Sequence, residues 1–292
     1  MTNMAHGVDA SHEIFRSPLA VNPTFVDIDT PKNYSHWPDG VGLPPKLRAW
    51  KVHEKTFPEI DPGVVSNPYG FLDTPDAELI SSGVNSKGPG SVALARQGNF
   101  FLWGFYGAPS VMTEEGRRCF INAICYISKF DGQPPLLRRR GWARDWALVY
   151  PGYLDQGLND EAFIKGMFPP ELYARFGKDA ALYRAYYREN LEYLVAAQQG
   201  YATDEDARAL GISNRSIAIL DACVDRLARN EDVDRARRVL ERYTDERFGA
   251  DAGKWQQWLD DHRQALFFSD TSGFKFFVDP VKQAAARSAG SR

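Results

Sequence analysis

Residues 81–130 read SSGVNSKGPG (81–90), SVALAR (91–96), QGN (97–99), FFLWGFY (100–106), GAPSVMT (107–113) and EEGRRCFINAICYISKF (114–130). SVALAR and FFLWGFY are short apolar runs parted by three residues that include Gly98. Glycine supplies the positive φ of a tight loop, so the pair predicts a β-hairpin over 91–106. In the next run Phe120, Ile121, Ile124, Ile127 and Phe130 recur at helical spacing, which predicts a half-buried helix over 114–130. Hairpin and helix together mark an N-terminal lobe that is α+β or α/β with a mixed sheet. The signal is one of fold and carries no chemistry by itself.

Upstream, residues 1–70 are rich in proline and aromatic side chains. HEIFRSP (12–18) and PTFVDI (23–28) each fit a short strand. From 31 to 68 the chain reads as extended loop, with turn phrases at Trp37-Pro38-Asp39-Gly40 and Asp61-Pro62-Gly63. A loop that long wraps its lobe or covers a site. Thr74-Pro75-Asp76 fits a helix start, with Thr as cap and Pro at the first position, while the following AELIS fits a strand equally.

Downstream, Asp131-Gly132-Gln133-Pro134-Pro135 stops the helix, and Arg138, Arg139 and Arg140 follow as a solvated linker. The expected division is a mixed lobe at 1–135, a mainly helical lobe at 136–282 ending in a β-hairpin, and a frayed polar tail at 283–292. Asn159, Asp179, Thr203, Ser213, Asn230 and Asp251 are cap-type residues ahead of helical patterns. They predict helices at 160–167, 180–198, 204–210, 214–229, 231–244 and 252–264. LFFSDTSGFKFFVD predicts a second hairpin over 266–278, turning at Ser272-Gly273. Two phrases match at one offset: RFGKDAALYRAYYRENLEYL from Arg175 and RFGADAGKWQQWLDDHRQAL from Arg247. Phe176 and Phe248 precede the helix, Asp179 and Asp251 cap it, and Tyr183/Tyr186 and Trp255/Trp258 share one face, an aromatic stripe that reads as core. The expectation is a duplicated helical unit whose copies bury each other's faces.

At 292 residues with a formal net charge of -3, the chain holds a real core and lacks the basic balance of a nucleic-acid surface. Three cysteines, Cys119, Cys125 and Cys223, make no disulfide framework and read as buried thiols. No apolar run reaches the roughly 18 residues of a membrane span, and the N-terminus lacks a secretory layout. A soluble cytoplasmic protein is the expectation. His53-Glu54 is no zinc-helix motif, because Phe57 stands where the second His belongs. No CxxC, GxSxG, GxGxxG or GxxxxGK[ST] occurs, so neither a metal nor another cofactor is expected.

The candidate ligand-binding residues are His12, Asp76, Glu78, Asn85, Lys87 and Trp103. Asn85-Ser86-Lys87-Gly88-Pro89-Gly90 combines glycine amides with a lysine, the ingredients of an anion cradle, although Pro89 removes one donor. Asp73, Asp76 and Glu78 form an acidic cluster of the kind used in general acid–base work. Trp103, mid-strand beside Gly104, is the aromatic candidate near a ligand surface. Each also has a plain structural reading, as loop, solvated turn and core.

His12-Glu13-Ile14, the hairpin residues 91–96, Gly98 and 101–104, and the helix 114–130 together resemble the closing part of a trehalose-utilisation (ThuA-like) domain. That family belongs to the class I glutamine amidotransferase-like α/β group. Glu13 replaces the family's proline, and Phe105 stands where its histidine follows the glycine. The opening strands and helices are missing, and Cys119 and Cys125 lie inside a helix rather than on a nucleophile elbow. The resemblance implies ancestry without the activity. The helical half is similar to uncharacterised bacterial repeat proteins with Trp-x-x-Trp phrases.

The leading expectation is a non-catalytic binding or assembly protein, with a possible protein partner supplying the missing half of the α/β domain. Neither nucleic acid nor membrane is expected as a partner. The alternative is a hydrolase or isomerase acting on a sugar or similar polar metabolite, using His12, Asp76, Glu78 or Lys87 where the 31–70 loop covers the hairpin. A fragment without function of its own is a third reading.

Overall fold

The computed structural model describes residues 1–54, 63–158 and 160–290. The chain forms two compact units, one of 1–72 with 76–136 and one of 73–75 with 137–292.

The first unit is built on strands β1 (Met4–His6), β2 (Phe25–Asp29), β3 (Lys46–Lys51), β4 (Ala77–Gly83), β5 (Val92–Gln97) and β6 (Phe100–Trp103). They form one sheet in the order β2-β3-β1-β4-β5-β6, and every registered pair is antiparallel. Of the two expected forms, the lobe is therefore α+β. β5 and β6 are the predicted hairpin, Gln97 facing Phe100 across Gly98 and Asn99. Gly98 takes a φ of 53°, and a Cβ there would lie 2.6 Å from the Pro135 nitrogen, so turn geometry and close backbone packing both require glycine. Val92, Ala93, Leu94 and Ala95 of β5 are fully buried, so this strand, next to the β6 edge, is covered on both faces.

Helix α1 (Glu114–Ile127) packs on that sheet. Thr113 accepts the Gly116 amide at 3.0 Å, and Glu114 and Glu115 sit in the first turn, where carboxylates favour the helix dipole. Its buried face differs from the one the spacing predicts. Gly116, Cys119, Asn122, Ala123 and Tyr126 point inward, while Ile121, Ile124 and Cys125 are exposed. Asn122 decides this rotation. Its amide donates to the Ile14 and Leu19 carbonyls at 2.8 and 2.7 Å and accepts the Leu19 amide at 2.9 Å, clasping the N-terminal segment to the helix. Cys125 is thus an exception to three buried thiols, whereas burial pushes Cys119 up to about 12.

The region upstream also departs from expectation. Glu13–Phe15 is a 3-10 turn rather than a strand. The expected loop from 31 contains β3, whose Ala49 and Trp50 are buried, and 3-10 turns at Lys32–His36 and Pro38–Gly40. Met4–His6 pairs with both β3 and β4 and so bridges the sheet's two halves. After Thr74-Pro75-Asp76 the chain is strand β4, not helix. Phe57, Asp61 and Pro62 lie outside the described residues.

The second unit runs α2 (Trp146–Asp155), α3 (Glu161–Met167), α4 (Pro170–Phe176), α5 (Ala180–Asn190), β7 (Leu194–Ala196), β8 (Tyr201–Thr203), α6 (Glu205–Leu210), α7 (Ala218–Ala228), α8 (Val233–Tyr243), α9 (Ala252–His262), β9 (Leu266–Ser269), β10 (Lys275–Val278) and α10 (Pro280–Gly290). α2 and α7, α3 and α8, α5 and α9, and β7 and β9 each begin 72 residues apart, the offset between Arg175 and Arg247. Side chains match as well. Tyr183 and Trp255 are both fully buried, and each donates to the carbonyl of a positive-φ glycine, Gly177 at 3.1 Å and Gly249 at 2.9 Å. Phe176 meets Tyr183 edge to face at 5.2 Å, and Phe248 meets Trp255 at 4.8 Å. Phe168 and Leu240, and Ile164 and Ala236, are further buried pairs at the same offset.

Asp179 and Asp251 cap their helices as expected, accepting amides of Ala181 and Leu182 and of Lys254. Elsewhere the cap lies one or more residues on. Asp204 rather than Thr203 caps α6, α7 starts at Ala218 behind Ile217, and α8 starts after Asp232, whose φ is 44°. Asn159 lies outside the described residues, and Asp160 caps α3. The expected helix 180–198 stops at Asn190, and Leu194–Ala196 and Tyr201–Thr203 form a hairpin across Gly200, whose φ is 61°. The expected frayed tail is helical to Gly290, with Asp279 accepting the Val281 and Lys282 amides and the Gln283 amide donating to the Asp261 carbonyl at 2.8 Å.

A buried polar chain runs through this unit. Arg144 grips Asp270 with Nε and Nη2 (2.7 to 3.1 Å), and its Nη1 donates to Asn214 at 2.8 Å. Asn214 donates to Leu194 O and to the Tyr243 hydroxyl, and Tyr243 donates to Asp204. Val195 and Phe268, one from each hairpin, pack into both hydrophobic clusters of the unit.

Candidate functional site

Of the sequence-chosen residues, the fold brings His12 and Glu78 together. Glu78 on β4 receives Arg96 Nη2 at 2.7 Å, Arg96 Nε at 3.1 Å, the Tyr126 hydroxyl at 2.5 Å and His12 Nε2 at 3.4 Å. His12 Nδ1 accepts the Ile14 amide, which leaves the proton on Nε2, facing the carboxylate. Arg96 is spent in turn, its Nη1 donating to Gly98 O at 2.8 Å and its guanidinium lying 3.8 Å over the Phe130 ring. The cluster ties the 3-10 turn, β4, β5 and α1 together.

Burial would raise the Glu78 pKa, but hydrogen bonds from His12, Arg96 and Tyr126 and the charge of Arg96 outweigh it and hold the carboxyl far below its ordinary 4.5. Burial and the Glu78 carboxylate push Tyr126 up to about 12. A carboxylate held ionised and a phenol held neutral, with their bonding capacity used on each other, make a clamp rather than an acid–base pair. A group with a depressed folded pKa stabilises above its unfolded pKa and loses that contribution as pH falls through the folded value. Unit 1 is therefore expected to weaken progressively below about pH 4.5, and Glu78→Gln to flatten that acid limb. Near-ultraviolet circular dichroism followed from pH 7 to 2 in both proteins checks it, and an unchanged slope in the variant would refute it.

The remaining candidates lie elsewhere. Asp76 accepts the Leu136 amide at 2.9 Å and pins the segment after α1. Asp73 belongs to the second unit, where it accepts the Thr271 amide at 2.8 Å, and burial raises its pKa. Asp73 and Asp76 thus each hold a backbone amide within their own unit. Asn85 closes its own loop, accepting from the Lys87 amide and donating to Gly83 O and Gly88 O. Lys87 is exposed beside it. Trp103 packs edge to face on Phe120 at 5.0 Å and on Phe105 at 6.0 Å within the core. Its Nε1 is buried with no hydrogen-bond partner.

A cleft in the second unit escaped the sequence reading. Trp142, Trp146, Tyr150 and Tyr153 form one wall, and Ala162, Phe163, Gly166 and Met167 of α3 form the other, around ≈ 540 Å³. Trp142, Trp146 and Tyr150 follow at four-residue spacing, so the turn before α2 and the helix itself carry them on one face. Their ring centroids are 5.1 and 5.9 Å apart. Ala162 and Gly166 also lie four apart, and a Cβ at Gly166 would meet nothing within 4 Å. Trp142 and Phe163 are more than half exposed. The arrangement is a slot with an aromatic wall and a small-residue wall, within the size range of small-molecule sites (roughly 300–1,000 Å³).

Among the described residues, no three or more His, Cys, Asp or Glu side chains are grouped to hold a metal ion, and no helix is long and apolar enough to cross a membrane. The architecture defines a class, an α+β unit joined to a helical unit with recurring elements. No protein-family model, curated protein or solved structure matches the chain.

Proposed function

We propose that this is a non-catalytic binding protein in which unit 1, a degenerate ThuA-like lobe, is a scaffold and unit 2 is two copies of one module, the first carrying a ligand cleft. The cleft between α2 and α3 carries this reading. It keeps four large aromatic side chains beside a gap that neighbouring side chains leave unfilled, an arrangement whose apolar surface water solvates poorly and a ligand covers. The clamp at Glu78 gives catalysis no support, since its donors and acceptors satisfy one another. The net charge of -3 suits a partner other than nucleic acid. A protein partner for unit 1 would find strand edges at β2 and β6, the two ends of the sheet.

Gly166→Leu tests the reading without threatening the fold. The new side chain enters open space, and leucine favours a helix over glycine by about 1 kcal/mol. In a thermal-shift screen of small apolar and amphipathic compounds, ligands are expected to raise the melting temperature of the wild type and not of the variant. No stabilising compound, or equal stabilisation of both proteins, would overturn the cleft. A turnover abolished by Glu78→Gln or Lys87→Ala would overturn the non-catalytic assignment.

A further inference from the structure

Position by position, the second copy supplies a control for the first. At the 72-residue offset, Trp142, Trp146, Tyr150 and Tyr153 become Asn214, Ala218, Ala222 and Asp225. On the facing helix, Phe163 and Gly166 become Arg235 and Arg238. α7 and α8 nevertheless pack together, through Ile219, Leu220 and Cys223 against Ala236, Val239 and Leu240. The helix pair therefore forms without any of these aromatic side chains. In the first copy Trp146, Tyr150 and Tyr153 also pack against the unit's core, while two of the cleft's large rings, Trp142 and Phe163, stand more than half exposed.

A cation stands beside the cleft's outermost ring. The Arg139 guanidinium sits 4.9 Å over the Trp142 ring, and its Nε donates to Gly141 O. No carboxylate among the described residues lies within ion-pair distance of it. The acids around the cleft are engaged: Glu161 with Lys165 at 2.8 Å, Asp155 with Arg184, and Asp160 with the Phe163 amide it caps. Asp145 has Arg215 and Arg144 among its charged neighbours, along with Asp270. Asp73, the acid whose charge reaches Arg139, is bonded to Thr271 and Ser269.

Resting on the binding reading, we infer that the cleft takes a small organic anion: a flat apolar ring that slides between the aromatic wall and Gly166, joined to a carboxylate or similar group that meets Arg139. The ring stacks on one aromatic face and meets the next ring edge-on, as the tilted wall permits. The anion completes a guanidinium that otherwise faces water. A quaternary ammonium or other cation suits the same rings but is repelled at the rim.

Isothermal titration of the full chain with three naphthalene probes tests this. The probes are 1-naphthoate, 1-naphthalenemethanol and (1-naphthylmethyl)trimethylammonium. Naphthoate is expected to bind at least about tenfold tighter than the other two, the scale of one charge-assisted hydrogen bond. Arg139→Gln is expected to erase that preference while the alcohol still binds, and Gly166→Leu to abolish binding of all three. Equal affinities, or a tighter ammonium, would overturn the anion while leaving the cleft standing. Failure of all three probes, or naphthoate binding that survives in Gly166→Leu, would overturn both.

Discussion

Replacing Arg144 with alanine is expected to destabilise the helical unit by about 3–5 kcal/mol, the cost of breaking a buried ion pair from one side. Arg144 is 1% exposed and Asp270 6%. Without the guanidinium, the buried Asp270 carboxylate loses its ion-pair partner, and the Asn214 oxygen loses its donor. Replacing both partners by apolar residues, Arg144→Met with Asp270→Leu, is expected to recover a large part of the loss, because no orphaned charge remains. Urea denaturation of the wild type, the two single variants and the pair closes the double-mutant cycle. If the single variants lose less than about 1 kcal/mol, the pair behaves as an exposed bridge and the account of the network fails.

Trp255→Ala is expected to cost a similar amount, about 3–5 kcal/mol. The indole is fully buried between Phe248 and Trp258 and anchors the Gly249 carbonyl. The informative variant is Trp255→Tyr. Tyrosine fills the corresponding place in the first copy, where Tyr183 reaches the Gly177 carbonyl from the same helix position. If the two copies share one packing scheme, tyrosine is expected to recover at least half of what alanine loses, as read from denaturant midpoints. Recovery no better than that of a Trp255→Leu variant would show the shared geometry to be coincidental.

Much of this fold was legible because its signals are local. Gly98 between two apolar runs marks the β5–β6 turn, and Asp179 and Asp251 mark helix starts that need no distant partner. What the sequence hid is what distant contacts decide. β1 has three residues and β3 carries three charges in six, so neither shows a strand pattern until the other lies beside it. The spacing in α1 turns its isoleucines inward, but a buried Asn122 looks like a surface residue until Ile14 and Leu19 are seen around it. The hairpin at Gly200 lies behind ENLEYLVAAQQ, a run that helix propensity alone would extend.

The site divides in the same way. His12 and Glu78 were visible as chemistry-bearing types, yet Arg96 and Tyr126, 18 and 48 residues along the chain from Glu78, turn that carboxylate into a tether. The cleft's aromatic stripe at 142, 146 and 150 is written plainly in the sequence. That it lines a cleft opposite Gly166 as well as packing on the core depends on how α2 and α3 are set. The ThuA-like resemblance rests on residues of the 3-10 turn at Glu13–Phe15, of β5 and β6, and of α1. The binding reading does not depend on that ancestry.

The polar chain from Asp270 through Arg144, Asn214 and Tyr243 to Asp204 also bears on how many copies this architecture tolerates. Repeat arrays with nearest-neighbour contacts gain or lose units freely, since each interface resembles the next. Here Arg144, ahead of the first copy, is neutralised by a carboxylate from the last hairpin of the second. Val195 and Phe268 knit the two hairpins into each other's cores. Cutting the chain between the copies would strand charges on both sides, and inserting a third copy would separate Arg144 from Asp270. On the proposed duplication, the matching helices and hairpins make a closed pair, and change is confined to what each set displays, as Trp142, Trp146 and Tyr150 against Asn214, Ala218 and Ala222 illustrate.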